Sequence, residues 1–471
     1  MDIETKRYFA ENAWIQGAWA RDVLLSVDAL GNWSDVRVGI NTSEKSDTVV
    51  LNGPILPGLV NAHSHAFQRA IVGLTERKSN SGTVASDDFW SWRDRMYSAA
   101  LRISPEQLER IATMLYSELA AAGYTHVCEF HYLHNDTAGK TYANPLEMSL
   151  ALVRAAQRVG MGLTLLPTLY MRSGFGASGL RDDQRRFATT PDSIVKLVEG
   201  VQRNAANCPL INVGVAIHSL RAVDQVAVQE IASFTKQNAL PVHIHIAEQT
   251  QEIDDCIAHT GLRPIEWLHK HVALDDRWNL VHATHTTPNE LEAIQKQDVS
   301  IVICPSTEAN LGDGVFDYSG YAQIGGKWSI GSDSHVTRSW AEELRLLEYS
   351  QRLTQRKRNV APQTSGELST AAVLFEAALR GGNSATSQNL GGIAIGNRAD
   401  FQVLNTDTPA LLGMPSDYML DAFVFSSPND KLKKVYVAGE QVFASSQQDD
   451  LKRSTSNQIV QDYKTTMQNL W

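Results

Sequence analysis

Long apolar runs are missing from this chain. Nowhere do about 18 apolar residues follow one another, so no membrane-spanning helix is expected. The opening MDIETKRYFAENAWIQGAW has no continuous apolar segment of the kind a secretory leader needs, and a cytoplasmic, soluble protein is the expectation. Cysteine is scarce: Cys128, Cys208, Cys256 and Cys304 stand far apart with no CxxC pair. That excludes a disulfide framework and reads as reduced core residues. Basic charge is not in excess either. With 42 Lys and Arg against 52 Asp and Glu, the formal net charge is −10, which argues against broad binding to nucleic acid or anionic membrane. An anionic ligand would therefore need local arginines to create its site.

What is present is ordinary globular material, 43% hydrophobic and 20% charged, without low-complexity tracts or repeats of solenoid period. The 471 residues suffice for a barrel-sized catalytic domain and a smaller one. Residues 1–55 read as short strand-like pieces (AWIQGAWA, DVLLSVDAL, DVRVGI, DTVVLNG) separated by Gly, Asn and Asp. From Leu56 the pattern becomes apolar strands alternating with helices. The helix over 104–122 is explicit, with Ser104 as N-cap, Pro105 in the first turn and Gly123 as the stop.

The first strand of this region is expected within Leu56–Phe67 and the second in YTHVCEF. Others follow in GLTLLPT, INVGVAIH, PVHIHI, WNLVH, SIVIC and WSIGS. Eight such strands with intervening helices predict an α/β fold, a TIM-type (β/α)8 barrel over residues 56–385. Short strands return in 386–448 (GGIAIGNRADFQVLN, DAFVFSS, KKVYVAGEQVF) and are expected to pair with residues 1–55 in one composite β domain, since neither piece can bury a core alone. Residues 449–471 read as a helical tail.

Histidines collect where these strands end. In LPGLVNAHSHAF, His63 and His65 are two apart on a strand and face one point, a metal half-site. In PVHIHIAEQ, His243 and His245 again share a face, and Glu248 follows where a carboxylate can carry protons beside a metal-activated water. His282 ends the sixth strand and His285 lies in the loop after it, while Asp333 ends the eighth, where a carboxylate can bind metal and accept a proton. The C-terminal ends of barrel strands share one rim, so these groups are expected to meet.

HxH after strand one, His on strand five, His on strand six and Asp on strand eight resemble the amidohydrolase superfamily, and the flanking β domain with GNRADFQVLN resembles that family's two-ended β sandwich. NAHSHAFQRA, DDFWSWRDRMY, EFHYLHND, HSLRAV and HIAEQTQEI are similar to its formimidoylglutamate deiminase branch. The resemblance implies one divalent metal per chain held by His63, His65, His245 and Asp333. Zinc is the expected ion, and Fe2+ is chemically tolerable. Strand four cannot supply the bridging lysine of two-metal members, because no lysine occurs between Lys196 and Lys236. The implied catalytic roles are Asp333 taking the proton of an activated water, Glu248 protonating the departing nitrogen, and His282 polarising the intermediate.

Arg93 and Arg221 have the forked guanidinium that grips carboxylates, so the expected partner is a small acidic molecule. Arg93 is expected in a long loop over 71–100 that closes on substrate, its GTVAS stretch included. Gln68, Tyr132 and His218 are expected to add hydrogen bonds. The reaction implied is hydrolysis of N-formimidoyl-L-glutamate to N-formyl-L-glutamate and ammonia in histidine degradation, by a homodimer. The alternatives are N-formimidoyl-aspartate, a nucleobase such as guanine stacked on Trp90 and Trp92, or a non-catalytic scaffold.

Overall fold

The computed structural model describes residues 6–77, 88–426, 432–445 and 450–471. The GTVAS stretch thus lies outside the described residues. Eight parallel barrel positions are occupied in order by Leu59–Ser64, Tyr124–His131, Gly162–Leu169, the pair Ile211–Val213 and Val215–Ile217, Val242–Ile246, Trp278–His282, Ser300–Ile303 and Lys327–Ile330. Each pairs in parallel with its neighbour, and helices cross between them. A parallel bridge between Ser64 and Asp333 joins first strand to last. There Asp333 N donates to His63 O at 3.0 Å and His65 N to Asp333 O at 3.3 Å.

The C-terminal turn of the helix Thr370–Thr386 plugs the opposite mouth of the barrel. Its last carbonyls accept side-chain hydrogen bonds from four strands: Ala385 O meets Cys128 and His243, Thr386 O meets Asn212, and Ser384 O meets Asn279. The helix presses close enough that a Cβ at Gly381 would stand 1.9 Å from Trp328 O.

Both chain ends contribute to a separate eight-stranded sheet. Lys6–Ile15 lies at its centre beside Ala18–Val27, Val49–Leu51 and Ile55–Pro57, and the last of these hands on to Phe401–Leu404, Leu432–Val437 and Glu440–Ala444. It has its own small core around Trp33, Phe401 and Tyr436. The stretch beginning at Leu56 thus serves both bodies, with Ile55–Pro57 in the end sheet, Gly58 between, and Leu59–Ser64 in the barrel.

Four elements differ from expectation. AWIQGAWA is not one strand but the paired ends of two, Ala13–Ile15 and Ala18–Ala20, joined by a hairpin turn at Gln16 and Gly17, both with positive φ. GGIAIG forms turns. DAFVF lies in the helix Met419–Phe425, and the last residue of DAFVFSS falls outside the described residues: an unbroken apolar run has no period to separate strand from helix, and packing decides, with Phe423 stacked 5.0 Å from Trp340. Arg93 sits on the helix Phe89–Ala100 and not in a loop, because Asp88 caps that helix by accepting from Trp90 N and Ser91 N. The tail forms the helix Asp450–Leu470, and no described helix is long and apolar enough to cross a membrane.

Candidate active site and metal centre

At the barrel rim three imidazoles converge. His63 Nε2 is 3.1 Å from His65 Nε2 and 3.0 Å from His245 Nε2, and Asp333 Oδ1 is 3.3 and 3.4 Å from Nε2 of His63 and His65. Nδ1 of His65 faces the Phe130 carbonyl at 2.9 Å, and Nδ1 of His245 faces that of His218 at 3.0 Å. A neutral ring has one N–H. Spent on those carbonyls, it leaves Nε2 as a lone pair pointing inward. Lone pairs at this spacing repel unless a cation stands between them, and donors about 2.0–2.1 Å from one ion lie roughly 3 to 3.4 Å apart. The donor set therefore fits a single divalent ion.

Burial keeps these rings neutral, pushing His63 down to about 3 and His65 and His245 below the ordinary imidazole range. Burial alone would raise the Asp333 carboxyl, but His63, His65 and His282 hold it well below the usual value.

His282 Nε2 stands 3.7 Å from both Glu248 Oε1 and Asp333 Oδ2, and its Nδ1 is 3.3 Å from Glu308 Oε1. Burial pulls its pKa down, and Glu248, Glu308 and Asp333 more than reverse this, to about 10. Burial raises Glu248 to about 7 against the pull of His282 and Arg221. Ala247, His282, Ala283 and Asp333 all have φ between 46° and 69°. Such a cluster of non-glycine residues in the left-handed region marks backbone bent to aim side chains.

One cleft above the histidines is lined by all five residues expected to touch substrate, namely Gln68, Arg93, Tyr132, His218 and Arg221. Gln68 Nε2 donates to Tyr132 Oη at 3.1 Å, and the His218 ring lies 4.1 Å from that of Tyr170. Arg221 projects from the turn after strand four, which Arg172 holds by donating to the carbonyls of Leu220, Arg221 and Val223 at 3.0–3.1 Å. Among the described residues, Nε of Arg93 and of Arg221 are buried without a hydrogen-bond partner, and Glu252 comes only to 4.0 Å from Arg221. Trp90 lies under both guanidiniums, 4.5 Å from Arg93 and 5.7 Å from Arg221, and Trp92 joins the lining.

Not every rim histidine takes part. His243 points to the plug, His131 packs on His134, and His335 bonds Ser332 behind the site. Glu308 and Tyr97 escaped the sequence reading. Glu308 had a signal, since CPSTEANLG after strand seven opens a helix at Pro305 and puts an acid in its first turn. Tyr97 had none, because nothing before the fold tells that the helix Phe89–Ala100 roofs the cleft.

The family model described as "Amidohydrolase family" matches residues 55–442. Formimidoylglutamate deiminase of Pseudomonas aeruginosa is 44% identical over 436 residues, 92% of this chain and 94% of that one. Among solved structures, an amidohydrolase from Brucella melitensis superposes with TM-score 0.88 at 38% identity, covering 99% of both chains. Atrazine chlorohydrolase of Arthrobacter aurescens TC1, complexed with zinc, has TM-score 0.81 at 18% identity over 98% of this chain and 100% of that one, a likeness of fold.

Proposed function

Since the chain belongs to the amidohydrolase family and its Pseudomonas relative is named a deiminase, we propose that it converts N-formimidoyl-L-glutamate and water to N-formyl-L-glutamate and ammonia, a step of histidine degradation. The observation that carries this reading is a pair of arginines whose Nε groups are buried with no hydrogen-bond partner among the described residues, in a cleft directly above the histidine cluster. A guanidinium Nε shut away from water with no acceptor in hydrogen-bond reach calls for an anion, and two of them fit a dicarboxylate better than a neutral base. The name of the Pseudomonas relative supports the same substrate.

His63, His65, His245 and Asp333 would hold the metal, zinc being the ion best matched to three imidazoles and a carboxylate. When bound, it supplies Lewis acidity that brings the pKa of a water toward neutrality. The chain's own residues do the rest. Arg93 and Arg221 grip the carboxylates and so hold the amidine carbon over the histidines. Asp333 receives the proton of the attacking water. Glu248, raised to about 7 by burial, holds a proton near neutral pH and gives it to the departing nitrogen. His282, between Glu248 and Asp333, donates through Nε2 to the tetrahedral centre.

The test is ammonia release by metal-analysed protein offered N-formimidoyl-L-glutamate, N-formimidoyl-L-aspartate or guanine. Rapid release from the first alone, with about one metal per chain, is expected. Turnover of guanine alone would keep the metal chemistry and refute the role given to the arginines.

A further inference from the structure

Behind the cleft wall Tyr97, Tyr170 and Gln184 form a buried polar cluster, their exposures 2%, 3% and 0%. The two hydroxyl oxygens are 3.1 Å apart. Gln184 Nε2 donates to both, at 2.9 Å to Tyr170 and 3.3 Å to Tyr97. The amide cannot be turned the other way, because its Oε1 accepts from Arg181 N at 3.0 Å. Gln184 therefore offers these hydroxyls hydrogens and accepts none.

The two tyrosines carry two O–H donors, and the contact between them consumes one. The other has no acceptor among the described residues. Tyr97 lines the cleft and Tyr170 does not: its ring is set against His218. Only one order gives each hydrogen a destination, with Tyr170 donating to Tyr97 and Tyr97 donating into the cleft. A buried hydroxyl hydrogen without an acceptor is costly, so an oxygen presented from the cleft, by a water or by the ligand that displaces it, completes the network. Arg93 and Arg221 say which kind. The Arg93 guanidinium lies 5.5 Å from the Tyr97 ring, and Tyr97 lines the same cleft as Arg93 and Arg221.

We infer that Tyr97 is a substrate-binding residue that donates its hydroxyl hydrogen to a carboxylate of the acid held by Arg93 and Arg221, with Tyr170 and Gln184 holding that hydroxyl in place. The inference rests on the dicarboxylate reading above. It makes the anion subsite a mixed one, in which a neutral donor of fixed direction complements two guanidinium charges and selects an acid by where its carboxylate ends.

Tyr97→Phe and Tyr170→Phe test it, in metal-loaded protein whose thermal midpoints are checked against wild type. Glutarate, a dicarboxylate with no bond to hydrolyse, is titrated calorimetrically, and KM and kcat are measured with N-formimidoyl-L-glutamate. Loss of a hydrogen bond to a charged group predicts roughly tenfold weaker glutarate binding and a KM about tenfold higher for Tyr97→Phe, with kcat within about threefold. Tyr170→Phe leaves the Tyr97 hydrogen in place and is expected to change either quantity less than about threefold. Equal glutarate affinity in wild type and Tyr97→Phe would overturn the inference. So would equal losses in both variants, which would make the cluster mere packing. If wild type binds glutarate more tightly than Tyr97→Phe yet releases no ammonia from the amidine, the hydroxyl assignment stands and the substrate reading falls.

Discussion

The sharpest division of labour is between Glu248 and the residues around it. Glu248 lies 3.7 Å from His282 but is not among the atoms that converge on the metal position, so its removal separates proton transfer from metal binding. Glu248→Gln is expected to lower kcat by about 10²- to 10⁴-fold with metal content unchanged, read by elemental analysis beside the assay. Arg221→Ala should act on the other parameter, raising KM for the acid about tenfold or more while sparing kcat for substrate once bound. A variant with both constants unaltered would remove Arg221 from the cleft's chemistry.

At the scale of elements, the arms of the site are held by neighbours that never touch the cleft. Arg172 binds three carbonyls of the turn that carries Arg221, so Arg172→Ala should reproduce much of the Arg221→Ala rise in KM, and the double variant should be little worse than either alone. Glu343, on the helix Trp340–Gln355, accepts from Ser306 N and Oγ and so anchors the helix Pro305–Leu311 that presents Glu308 to His282. Burial pushes Glu343 from 4.5 up to about 8. A carboxyl with a raised folded-state pKa favours the fold fully below its ordinary value and loses that contribution as pH rises through the higher one. The thermal midpoint should therefore fall from pH 5 toward pH 8, and fall less in Glu343→Gln.

These supports mark the limit of what sequence spacing reveals. The period of two in NAHSHA and HIHI, the strand-and-helix alternation, and the Ser104–Pro105 helix start are local patterns, legible because strand and helix periodicities are local. Whether His243 or His245 faces the rim is not local. Both sit on the inner face, and depth in the barrel separates them, set by a plug helix some 140 residues later that gives His243 its Ala385 acceptor. The Arg93 helix was hidden in the same way, since WSWRDRM carries no clean apolar stripe and its Asp88 cap is a single residue.

For the molecule as a whole, the proposed metal centre would be a stability element as well as a reagent. The Nε2 lone pairs of His65 and His245, each fixed by a carbonyl at Nδ1, crowd His63 Nε2 at 3.1 and 3.0 Å, a congestion that a cation between them would relieve. Chelation should lower the thermal midpoint, and readdition of zinc should restore it, with mass action giving about 4 kcal/mol when free ion exceeds Kd a thousandfold. An unchanged midpoint would show that the histidine cluster tolerates vacancy.

The bridge between Ser64 and Asp333 has a temporal side. The His-x-His segment leaves the ribosome early, yet its fourth ligand and its closing strand arrive only when most of the chain has been made. Until residue 333 is delivered, the barrel is an open sheet with an unpaired edge at residue 64 and the ligand set is one short. Completing the barrel and completing the proposed ligand set therefore depend on the same residue, Asp333.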